Sequence, residues 1–130
     1  MDITVTKDQG RVPVTVFHLK GDLTSEQELL SQARQAYQAD TRFILLDLAG
    51  VPYMSSSGLR ALHQIFDMLR RDTPEQSDRL VTKGITSGTF TSPHLKLLSP
   101  SNHVLEVLKT AGYDMFLEVH RDYKKAIASF

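Results

Sequence analysis

Three serines in a row, Ser55, Ser56 and Ser57, followed by Gly58 and Leu59, are the residues of this chain best placed to do chemistry. A serine hydroxyl can cap a helix by accepting from an unpaired backbone N–H, attack as a nucleophile when a base stands beside it, or accept a phosphoryl group from a kinase. Capping asks only that a helix begin there. Nucleophilic hydrolysis asks for a Gly-x-Ser-x-Gly elbow, and Met54 occupies the first glycine position around Ser56. Hydrolase chemistry is therefore unsupported. Phosphorylation asks for a presented hydroxyl, and a phosphoserine with about −1.5 to −2 charges suits the amino end of a helix. On these residues alone, capping and phosphorylation both stay open.

The other reactive side chains form no comparable group. His18, His63, His94, His103 and His120 show neither HxxxH nor HExxH spacing, so no two of them fall on one helical face as metal ligands. Gly84 and Gly88 precede no Gly-Lys-Ser/Thr, which excludes a Walker A loop. Cysteine is absent, and with it any disulfide framework or thiolate zinc site. Neither a metal nor a cofactor is expected, and no catalytic residue is assigned. The 15 Lys and Arg balance 15 Asp and Glu, so no bulk field draws the chain to nucleic acid or to an anionic membrane. Met1-Asp2-Ile3-Thr4-Val5 is not the start of a signal peptide, and no apolar run approaches the ~18 residues of a membrane span. A soluble cytoplasmic protein is expected.

The serines must be positioned by the elements around them. Phe43 to Leu48 is a continuous apolar run broken only by Asp47, the pattern of a strand buried on both faces. Gly50 to Ser57 then reads as a loop, and Leu59, Leu62, Ile65, Phe66 and Leu69 trace one face of a helix ending near Arg70-Arg71. Upstream, Ile3 to Leu19 alternates around Asp8-Gln9-Gly10 as a hairpin, and a first helix spans about Ser25 to Gln38. Downstream, the polar stretch Asp72–Pro93, with Thr91-Ser92-Pro93 at its end, reads as a mobile insertion. Leu95 to Leu98 is a short strand, Ser101 caps a third helix stopped by Gly112, Met115 to Val119 is a further strand, and Tyr123 to Phe130 is a closing helix. The 130 residues fit one domain, and βαβαβα after a hairpin predicts an α/β fold: a parallel or mixed sheet packed against helices.

The run Asp47 to Leu59, with Met54-Ser55-Ser56-Ser57-Gly58-Leu59 at its end, resembles the signature of STAS domains, whose bacterial anti-sigma factor antagonists usually show Met-Asp-Ser-Ser-Gly-Leu. The likeness extends to the hairpin, Gly21-Asp22-Leu23, Pro100-Ser101 and Ala111-Gly112-Tyr113, in the same order. It implies a STAS-like mixed sheet packed against helices. It also implies that Ser56 holds the position phosphorylated by a partner kinase, with Ser57 and Gly58 matching the next two positions and Ser55 standing where Asp is usual. The surface around Ser56 would comprise Tyr53, Met54, Ser55, Ser57, Gly58, Arg60 and His63. Its implied partners are an anti-sigma factor that is also a GHKL-type serine kinase, and a PP2C-type phosphatase that resets the switch. A STAS scaffold that binds constitutively, without phosphorylation, is the alternative. A small α/β enzyme holding a phosphorylated ligand is a third reading, for which no acid–base pair lies near the serines. Oligomeric state is left open by the sequence.

Overall fold

A computed structural model of the chain describes residues 1–71 and 91–130. Among these, five strands and four α-helices form an α/β structure. Strands β1 (Asp2–Gln9) and β2 (Pro13–Lys20) make the opening hairpin, paired antiparallel from Asp2↔Lys20 to Gln9↔Pro13. Helix α1 (Glu26–Gln38) leads to β3 (Ile44–Gly50), and α2 (Ser56–Leu69) follows it. Beyond residue 90 come β4 (Leu95–Leu98), α3 (Asn102–Thr110), a 3₁₀ turn at Tyr113–Met115, β5 (Val119–His120) and α4 (Tyr123–Ser129). The sheet order is β1-β2-β3-β4-β5, with every pair after the hairpin parallel.

That order dictates where the helices lie. Parallel strands added one after another in one direction, through right-handed crossovers, put every crossover helix on the same face. Accordingly α1, α2 and α3 bury Leu29, Leu30, Ala33, Leu62, Ile65, Val104 and Leu108 against Phe17, Leu19, Ile44, Leu46, Leu48, Leu95 and Leu97. Among the described residues the opposite face carries α4 alone, with Ala126, Ile127 and Phe130 on Val14, Val16, Leu45 and Leu98. Strand β3 is covered on both sides, which is why its apolar residues run without alternation.

Two expectations need correction. The last strand does not begin at Met115: Gly112 turns the chain at φ 79°, Tyr113–Met115 wind into a 3₁₀ turn, and Phe116 and Leu117 enter the core. Pairing starts only at Leu97↔Val119 and takes in just the last two residues of the four-residue β4. An apolar run such as Met115-Phe116-Leu117 looks alike whether it fills a core from a turn or from a strand. The proposed insertion lies, over residues 72–90, outside the described residues, but its end is tied in. Ser92 is buried, its N–H donates to Phe116 O at 2.8 Å, and its hydroxyl accepts from the N–H of His94 and Leu95. The polar Thr91-Ser92-Pro93 is therefore an ordered approach to β4.

Candidate functional site

The serine run sits where β3 hands over to α2, a turn sewn to the segment between β2 and α1. Gly21 N–H donates to Gly50 O at 2.9 Å, Leu23 N–H to Tyr53 O at 2.9 Å and Ser55 N–H to Leu23 O at 3.0 Å, while Leu23 and Met54 form an isolated parallel bridge. The Leu23 and Met54 side chains then go into the core, the latter 2% exposed. Sequence reasoning placed Met54 on a contact surface; it is instead the anchor that fixes the loop. Gly58 is also buried. A Cβ there would lie 2.7 Å from Leu23 O and 2.8 Å from Met54 Cγ, so only glycine lets the first turn of α2 close on this bridge.

With the loop fixed, the three hydroxyls have three different environments. Ser55 is the N-cap, in an extended conformation, and its Oγ accepts from Gly58 N–H and donates to Leu23 O, each at 3.4 Å. Ser57 Oγ accepts from Arg60 Nη2 at 3.0 Å. Ser56, the first helical residue, is exposed, and its hydroxyl makes no hydrogen bond among the described residues. Capping and presentation are thus divided between neighbouring serines.

Around Ser56 the surface is mixed. Tyr53 is 44% exposed and stacks on His103 of α3, ring centroids 5.3 Å apart and planes at 19°. Between α2 and α3 an open groove of about 460 Å³ is lined by Leu59, His103, Glu106, Val107, Thr110 and Ala111. Leu59, partly buried, packs against the core and also borders this groove. His63 Nε2 lies 3.4 Å from Asp67 Oδ2 and meets Phe66 and Tyr113 edge-on. Tyr113 Oη donates to Leu59 O at 3.1 Å, and burial, aided by the negative charge of Asp67, raises its pKa above the usual phenol value. The structure therefore brings Tyr53, Ser55, Ser56, Ser57 and Arg60 to one surface, sets His63 a turn further along, and withdraws Met54 and Gly58.

Sequence reasoning did not find the contribution of α3, through His103, Glu106 and Val107, or that of Glu26 at the start of α1. Contacts between helices distant in sequence leave no local signal. The α3 boundary was readable from Ser101, whose Oγ does accept from Val104 N–H at 3.3 Å, but not which face would turn toward Tyr53. Among the described residues no three His, Asp or Glu side chains gather as a metal-binding group, and no helix is long and apolar enough to cross a membrane.

A mixed sheet with three crossover helices on one face and a glycine-locked serine turn at the start of α2 defines a class of small α/β domain. The STAS domain pattern matches residues 4–74, more than half of the chain, and the chain belongs to that family. Among solved structures, the anti-sigma-factor antagonist (STAS) domain protein from Planctomyces limnophilus is similar at 22% identity and a TM-score of 0.69, over 98% of this chain and 96% of that one. The Bacillus cell fate determinant SpoIIAA in its phosphorylated form is similar at 16% identity and 0.62, over 97% and 96%. SpoIIAA in its unphosphorylated form, called an anti-sigma factor antagonist, is similar at 13% identity and 0.61, over 96% and 93%. These identities speak for the fold. No curated protein sequence matches the chain.

Proposed function

We propose that this protein is a cytoplasmic anti-sigma factor antagonist: it binds an anti-sigma factor that is also a serine kinase, and phosphorylation of Ser56 switches that binding off. The observation that carries the reading is the division of labour in the serine run. The fold spends Ser55 on the cap and Ser57 on Arg60, and leaves Ser56 exposed and unbonded at the edge of a surface bearing Tyr53 and the groove between α2 and α3. Aromatic and Arg side chains are enriched at interfaces, and Tyr53 and Arg60 flank the serine.

The kinase, of GHKL type, supplies ATP and Mg²⁺ in its own pocket. Ser56 Oγ takes the γ-phosphoryl group, the bond to ADP breaks and the hydroxyl proton leaves. The backbone has little reason to move, because the cap belongs to Ser55. The interface changes instead: a surface shaped for a neutral hydroxyl must take in a bulky dianion and strip its water, which costs several kcal/mol, and each 1.4 kcal/mol is tenfold in affinity. A PP2C-type phosphatase returns the hydroxyl. The constitutive-scaffold reading shares this surface but needs no charge change.

Phosphosite mapping by mass spectrometry on protein from growing and stressed native cells tests the reading. One phosphate on Ser56 whose occupancy changes with condition supports it. Ser56→Ala should hold its partner with or without ATP, and Ser56→Asp should lose it. Binding indifferent to both substitutions, with serines unmodified throughout, would leave the constitutive scaffold in its place.

A further inference from the structure

Arg60 stands one turn beyond Ser56, and its guanidinium is only loosely engaged. Its Nη2 donates to Ser57 Oγ at 3.0 Å, while its Nε stops 3.9 Å from Glu26 Oε2, an oxygen that already accepts from Gln64 Nε2 at 2.9 Å. The Arg60 side chain is 60% exposed, and exposed ion pairs of this kind hold little energy. Long side chains on a helix lean back toward the preceding turn, which is how Arg60 comes to lie over Ser57. Residues four apart have Cβ atoms about 5–6 Å apart, so a group on Ser56 falls within the same sweep.

We infer that Arg60 is a built-in counter-ion for phosphate on Ser56. The inference rests on Ser56 as the acceptor. A guanidinium fork pairs with two phosphate oxygens at once, whereas its present partners among the described residues are one neutral hydroxyl and one distant carboxylate oxygen. Exchange costs little on the losing side: Ser57 can turn to water, and Glu26 keeps Gln64. Ser55, a neutral cap, adds no second negative charge. Phosphorylation thus acts twice on the partner surface: it introduces an anion and withdraws the Arg60 fork that the unmodified surface presents.

The test uses the full chain with phosphoserine installed at position 56 during translation, so that it depends on no kinase. The second ionisation of the phosphate is followed by phosphorus NMR. The wild-type phosphate should ionise about half a unit or more below that of Arg60→Gln, with Arg60→Lys between them, and the difference should shrink in 1 M salt. Coincident curves for wild type and Arg60→Gln would overturn the inference. So would an Arg60 effect confined to a control chain carrying phosphoserine at 57. Absence of Ser56 phosphate in cells would instead defeat the assignment of the acceptor, and is read by the mapping experiment.

Discussion

Ser55 and Ser56 are adjacent and chemically identical, yet backbone position gives them separate duties. Ser55 precedes the helix, so its oxygen faces Gly58 N–H; Ser56 is inside the helix and faces outward. Replacing Ser55 by Ala should lower stability by about 0.5–1 kcal/mol in urea unfolding, the lower part of the usual capping range, because the bond is a long 3.4 Å. Ser55→Asp should match or exceed wild type, since a carboxylate caps as well and suits the positive end of the helix. Ser56→Ala should leave stability within about 0.5 kcal/mol of wild type, as an exposed side chain without a partner has little to lose.

Between elements, the decisive contact is the first turn of α2 against the Leu23–Met54 bridge. Gly58→Ala would drive a methyl group to 2.7 Å from a backbone oxygen that cannot move without breaking its bond to Ser55 N–H. Overpacking of this sort costs about 1–3 kcal/mol, and the chemical shifts of Ser55 to Leu59 should move with it. A drop below about 0.5 kcal/mol in denaturant titration would mean that the loop is not locked in this way. How much of this was readable from the sequence follows from which signals are local. The hairpin, the three crossover units and the helix of the serine run each have a period or a cap written into consecutive residues. Gly58 was visible as a signature glycine, but the reason for it lies in Leu23, 35 positions away. Met54 was misplaced for the same cause: beside a tyrosine and three serines it reads as surface, and only the bridge to Leu23 turns it inward. The short β5 was likewise hidden, because the 3₁₀ turn at Tyr113–Met115 takes the start of an apolar run that reads equally well as strand.

At the scale of the whole molecule, the sheet is a layer with unequal sides, among the described residues three helices on one and α4 on the other, and the thin side is secured by polar contacts. Lys96 is almost fully buried; its Nζ donates to Ser129 O at 2.8 Å and Ser129 Oγ at 3.1 Å, and meets Glu118 Oε2 at 3.0 Å. Lys96→Met keeps the stem and removes these bonds, so α4 should exchange its amide hydrogens faster while the α1–α2 layer does not change. His94 ties the other end of the sheet. Its Nδ1–H donates to Arg42 O at 3.0 Å, its ring lies 5.1 Å from Phe43, and its carbonyl accepts from Ile44 N–H at 2.8 Å. Burial lowers its pKa from the ordinary 6.5, and the Arg42 charge adds to this, partly offset by the bond to the Arg42 carbonyl. The folded chain therefore takes up this proton less readily than the unfolded chain. Its contribution to stability is complete above about pH 6.5 and declines as the pH falls through that value toward the lower folded pKa. His94→Gln, which does not titrate, should give a shallower loss of stability between pH 7 and pH 5 than wild type, measured by denaturant titration at each pH. Parallel pH profiles for the two proteins would show that the His94 proton is not linked to folding.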